Sequence, residues 1–129
     1  MRWSLPTSRL THEEQLDELL SRAAEDWVHP GDVFDVARYA GPADDAELVE
    51  VAVGLVTELL EQGLTVAGTV TREGFEPWRR SPGSAAEHVA ATWRADRDGA
   101  QDSFLVWLEA TLEGLERGRR AWRVDRPLD

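Results

Sequence analysis

Three histidines, one tyrosine and twenty-five carboxylates are the main acid-base resources of this 129-residue chain, which contains no cysteine. Without thiols, disulfides, thiolate nucleophiles and thiolate metal sites are excluded together. His12, His29 and His88 are isolated in the sequence, and His12-Glu13-Glu14 lacks the second histidine of a zinc-binding His-Glu-x-x-His helix. Asp96 and Asp98 before Gly99 match the middle of a calcium loop. However, Arg94 falls on its first ligand position and Leu105 on its last. Gly63, Gly68 and Gly74 are spread over a strand and a turn, so they form no phosphate-cradling loop, and there is no Gly-x-Ser-x-Gly elbow. Carboxylates are so numerous that no pair marks out acid-base or glycosidic chemistry. The expectation is a non-enzymatic protein with no cofactor and no metal.

The distribution of the carboxylates is more informative than their number. Residues 11 to 62 hold fourteen acids and two basic residues, Arg22 and Arg38, whereas the whole chain has net charge −11. All fourteen basic residues are arginine, and Lys, Asn and Ile are missing. A GC-rich genome explains that bias as well as selection does. With 42% hydrophobic residues and six tryptophans the chain is apolar enough to fold. A single domain of this length buries about two thirds of its unfolded surface. The start has no signal-like apolar stretch and no run approaches the roughly 20 residues of a membrane span, so a cytoplasmic protein is expected.

Local signals place these charges on a run of elements. Residues 1 to 10 read as an arm. Thr11-His12-Glu13-Glu14 is a capping box that opens a helix to about Asp26, with Leu16, Leu19, Leu20, Ala23, Ala24 and Trp27 on one face. Trp27 and Val28 suggest a very short strand, after which Asp32 is expected to cap a short helix burying Val33, Phe34, Val36 and Ala37. Asp44 or Asp45 starts the longest helix, which ends at Gln62 before Gly63; its broad stripe of Leu48, Val49, Ala52, Val53, Leu55, Val56, Leu59 and Leu60 predicts a central position. Leu64 to Val70 reads as a strand. Residues 71 to 101 read as an insertion with a polar turn, Phe75 and Trp78, and a helix opened by a second capping box, Ser84-Ala85-Ala86-Glu87, with Ala86, Val89, Ala90 and Trp93 inward. Residues 103 to 110 read as a second long strand, Thr111 as the cap of a last helix to about Arg120, and residues 121 to 129 as a tail.

This order resembles a winged helix, in which two long strands form the wing. Leu105-Val106-Trp107-Leu108-Glu109-Ala110-Thr111-Leu112-Glu113-Gly114-Leu115 is similar to the wing-closing segment of many bacterial winged-helix proteins, an apolar strand followed by Thr-x-x-Gly and a terminal helix. Asp26-Trp27-Val28, Glu58 to Leu64, Ala67-Gly68, Gly74-Phe75-x-Pro77-Trp78 and Val106-Trp107-Leu108 resemble a group of small actinobacterial proteins to which no activity is attached. The resemblance spans about residues 13 to 118. It implies a single α+β winged-helix-like domain with three N-terminal helices, a two-to-three-stranded antiparallel wing carrying a helical insertion, and a C-terminal helix. The length of the insertion departs from a simple wing.

Winged-helix regulators generally use the third helix in the major groove, where basic side chains neutralise phosphates. Here that helix carries Asp44, Asp45, Glu47, Glu50, Glu58 and Glu61 and no basic residue, which argues against nucleic acid as its partner. These acids are instead candidates for contact with a basic protein, in the manner of an immunity protein or a regulatory partner, beside the plainer reading of a solvated surface. Phe75, Trp78, Arg79 and Arg80 form a second candidate partner surface, or else pack the insertion onto the wing. The alternative function is a transcription regulator that contacts DNA through the insertion or through the tail bearing Arg117, Arg119, Arg120, Arg123 and Arg126; the same arginines would equally serve the acidic half. A homodimer through Trp93, Trp107 or Trp122 is a further possibility, and no membrane partner is expected.

Overall fold

The computed structural model describes residues 9–100 and 106–125, with side chains through residue 122. Helix α1 (His12–Ala23) begins with the expected capping box. The Thr11 hydroxyl accepts from the Glu14 N–H at 3.1 Å, and the Glu14 carboxylate accepts from the Thr11 N–H at 2.9 Å. The Thr11 backbone hydrogen bond holds the Glu14 carboxyl below its usual range. The helix ends three residues earlier than expected, in a turn that leads to Trp27 and Val28.

Helix α2 (Pro30–Ala37) is capped differently from the expectation. His29 is the N-cap, with Nδ1 accepting from the Gly31 N–H at 3.0 Å, while Asp32 reaches back to the His29 N–H. Pro30 at the first helical position explains the shift, because its fixed φ and absent N–H suit that site and make the preceding residue the cap, three residues upstream of Asp32. A single 3-10 turn (Arg38–Ala40) and Gly41, at φ 74°, lead to α3 (Asp45–Glu61), with Asp44 as its N-cap. Gly63, at φ 71°, supplies the left-handed residue after its end. Every residue of the broad stripe read from the sequence is buried, and α3 packs against both α2 and the helix of the insertion.

Strand β1 (Thr65–Thr71) turns tightly into β2 (Gly74–Pro77), where the sequence reads as turn and loop. Helix α4 (Pro82–Ala95) starts before the expected box. Ser81 is its cap, accepting from the Ser84 N–H at 3.2 Å, so Ser84 lies inside the first turn. Strand β3 (Trp107–Ala110) pairs antiparallel with the start of β1, giving the order β2-β1-β3. The expected strand began at residue 103; residues 101–105 lie outside the described residues. Val28 forms an isolated antiparallel bridge with Leu108 on the far side of β3, where the short strand was expected. Thr111 caps α5 (Leu112–Asp125), which continues past the expected end near Arg120 into the expected tail. The architecture is therefore α+β, with five α-helices and a three-stranded antiparallel sheet among the described residues.

One core joins these elements. Leu16, Leu19 and Leu20 of α1, Phe34 of α2, the α3 stripe, Val89 and Trp93 of α4, and Leu108 of β3 belong to a single buried cluster. Phe34 and Trp93 meet with ring centroids 5.0 Å apart. The Trp93 ring, at 1% exposure, is interior and offers no dimer surface. Helix α5 crosses α1 at glycine. A Cβ on Gly114 would collide with the Leu64 carbonyl, and one on Gly118 with the Leu20 carbonyl. No helix among the described residues is long and apolar enough to cross a membrane.

Candidate interaction surfaces

The six acids of the third helix do different things. Asp44 accepts from the Glu47 N–H at 2.9 Å and Glu47 from the Ala43 N–H at 3.2 Å, so both are occupied in closing the helix start, where carboxylates also meet the favourable end of the dipole. Glu50 is held by Arg94 of α4 through two hydrogen bonds of 2.8 and 2.7 Å. Those hydrogen bonds lower the Glu50 carboxyl below its ordinary value and raise the Arg94 guanidinium. Glu58 accepts from the Gln62 side chain one turn on. Asp45 and Glu61 are exposed and have no ionic or hydrogen-bond partner among the described residues. The exposed strip of α3 therefore carries negative charge that Arg94 relieves at Glu50, and only part of the strip is free for a partner.

Three of the remaining acids surround Arg22. Its guanidinium donates to Glu18 at 3.2 Å, Asp32 at 3.2 Å and Asp35 at 2.8 Å, joining α1 to α2. At the other side of α1, Arg117 donates to Asp17 at 2.7 Å and to Glu13 at 2.8 Å. Burial works against the Arg117 charge, yet the hydrogen bonds and charges of Asp17 and Glu13 outweigh it and raise its pKa. The start of the arginine-rich end is thus turned onto the acidic half of its own molecule. Arg119 and Arg120 are exposed.

In the insertion, Trp78 is half-buried against the core; its Nε1–H donates to Thr69 at 3.0 Å, and its ring stands edge-on to His88 with centroids 5.3 Å apart. Phe75 lies over Gly68 and stacks on Trp27 at 6.2 Å. The packing reading of these two aromatics matches that geometry, and they do not form one cluster, because Phe75 and Trp78 sit on opposite faces of the hairpin. Arg79 and Arg80 are exposed at the turn into α4, with Arg80 donating to Ser84 at 3.3 Å.

Two of the concave sites are small. A cavity of about 90 Å³ between the end of α3, β1 and Trp78, and another of about 110 Å³ between Asp45 and Arg97, fall well below the size of an ordinary small-molecule pocket. The Thr65 hydroxyl, lining the first, has no hydrogen-bond partner among the described residues. An open groove of about 390 Å³ runs between the end of α1 and β3, lined by Glu25, Asp26, Trp27, Glu109 and Leu115 together with alanines. No cluster of three or more metal-capable side chains occurs among the described residues.

No family model matches the chain, and neither a curated protein nor a solved structure matches it.

The groove beside Trp27 has no signature in the sequence. Its residues come from three separate segments, and only the Val28 to Leu108 bridge brings Trp27 to Glu109, with the indole N–H donating to the carboxylate at 2.9 Å.

Proposed function

We propose that this chain is a winged-helix-like module that binds a basic protein and performs no chemistry of its own. The winged-helix part is supported by the order of the elements. Three helices precede β1; β1 pairs with β3; Val28 adds a bridge beyond β3; and α5 follows the closing strand. The hairpin strand β2 and α4 occupy the connection between the two principal strands.

The observation that carries the binding part is the exposed strip of α3. The helix is fixed on both sides by α2 and α4, the latter through the Glu50–Arg94 pair, and its solvent-facing positions are acidic or neutral. A duplex approaching it would meet mainly like charge, since Arg94, already paired with Glu50, is the basic group bound to the strip and phosphates need basic partners. A basic protein would be attracted, and the attraction accelerates encounter more than it tightens the final complex. The alternative, DNA contact through the arginine-rich end, is weakened by the engagement of Arg117 with Asp17 and Glu13.

Capture from a native lysate tests this reading, using the tagged wild-type chain beside a D45R, E61R variant, with nuclease added to half of each. The expected result is one basic protein held by the wild type, lost by the variant and indifferent to nuclease. Capture that disappears with nuclease and survives charge reversal would overturn the proposal in favour of a nucleic-acid regulator.

A further inference from the structure

The sheet has two unlike faces. Thr65, Ala67, Leu108 and Ala110 point toward the helices, as the burial of Thr65, Ala67 and Leu108 shows. In the antiparallel register Val66 lies opposite Glu109, Gly68 opposite Trp107 and Pro77, and Val70 opposite Phe75. Opposed residues share a face, so Val66, Val70, Phe75, Pro77, Trp107 and Glu109 form the outer side. Gly68 leaves room there for the Phe75 ring, which crosses β1 and stacks on Trp27. Trp107 is engaged edge-on by His29, with ring centroids 5.6 Å apart; Val66, 39% exposed, and Phe75, half-buried, give the face its aliphatic and aromatic surface.

This apolar face continues into the groove beside Trp27. Trp27 is the shared wall, and Asp26 and Glu109 stand at the groove with no ionic partner among the described residues. Each gives one oxygen to Trp27, Asp26 Oδ1 to its backbone N–H at 2.7 Å and Glu109 Oε2 to its indole N–H. The other oxygen of each accepts no hydrogen bond among the described residues. Two carboxylates beside an indole make a favourable place for a cation, which gains from both the charges and the ring face.

We infer that the outer sheet face, continued into this groove, docks a protein segment that carries an arginine or lysine between apolar residues. The cation enters between Asp26 and Glu109 against Trp27, and the apolar flanks cover Val66 and Phe75. Charge complementarity favours this occupant over a second copy of the chain: each copy brings net charge −11, and a two-fold pairing through this face would place Asp26 and Glu109 against like charge or against the same apolar face. The inference rests on the reading of the chain as a binder of basic proteins and gives that partner a specific seat.

The test is a selection of random twelve-residue peptides displayed on phage against the immobilised full chain. Selected peptides are then titrated with the wild type and with V66R, E109Q, E61Q and the D45R, E61R double variant. Because Val66 and Glu109 face solvent, V66R and E109Q should fold, which circular dichroism and the thermal midpoint check. The expected peptides have a basic residue flanked by apolar ones; V66R and E109Q each weaken them at least tenfold, while E61Q changes affinity less than twofold. Peptides that bind V66R and E109Q normally but lose affinity for the double variant would overturn this site and leave the basic-protein reading standing. Uncharged or acidic winners would overturn both. A dimer of the wild type that V66R dissociates in sedimentation would give the face to a second copy and so overturn the inference as well.

Discussion

Arg22 shows how an acidic surface is held together at the scale of a single residue. Its side chain is 23% exposed and donates to three carboxylates, one of which, Glu18, is 7% exposed at the side chain. Removing one member of a largely buried ion network leaves the others uncompensated, which costs more than the intact network contributes. R22A should therefore destabilise the fold by about 2 to 3 kcal/mol, less than for a fully buried pair because Asp35 is half exposed. Urea denaturation reads this directly, and R22A with E18Q should recover part of the loss. The Glu50–Arg94 pair is expected to behave differently. The folded Glu50 carboxyl lies below its ordinary value of 4.5, so the pair stabilises the protein above that pH, and the contribution disappears as pH falls through the lowered value. Wild type and E50Q should thus differ in stability at pH 7 and converge on acidification below the lowered value. Both partners are more than half exposed, so the difference at pH 7 is small and shrinks with salt. A gap that widened on acidification would contradict the assignment.

At the scale of elements, glycine decides which helices can touch. Gly54 sits in the middle of α3, where an added methyl group would have nothing within 4 Å, whereas Gly118 of α5 faces the Leu20 carbonyl of α1. G54A should stabilise the protein by about 0.5 to 1 kcal/mol through helix propensity alone. G118A should destabilise it by about 1 to 3 kcal/mol, because α5 must move away from α1 to admit the methyl group. Thermal midpoints of the two variants should move in opposite directions. The Gly114-x-x-x-Gly118 spacing is visible in the chain, but only the crossing of α5 over Leu20 and Leu64 gives it meaning. Helix starts are legible where capping is local, as at Thr11, Asp44 and Thr111. They are misread where proline moves the cap, at His29 and Ser81. Strand β2 escapes a sequence reading for a related reason. Gly74-Phe75-Glu76-Pro77 is too short and too polar to signal a strand, and it becomes one by pairing with Gly68 to Thr71.

For the whole molecule, the apolar stripes are enough to place the core, while the surfaces need the tertiary arrangement. The acidity of α3 can be read from its residues. Which acids are already engaged cannot, because Arg94 reaches Glu50 and Arg117 reaches Glu13 and Asp17 across long sequence separations. Similarly, Trp27, Phe75 and Glu109 converge only through strand register and the Val28 bridge. On the proposed reading, recruitment of the partner is electrostatic at long range, with contact supplied by an aromatic sheet face. It is tested most directly by the association rate of the chain with its captured basic partner, measured from about 50 to 500 mM salt for the wild type and the D45R, E61R variant. We predict that the wild-type rate falls at least tenfold across that range, with the variant slower at low salt and nearly flat. Equal rates for the two proteins, or a wild-type rate independent of salt, would contradict the claim that negative charge recruits the partner.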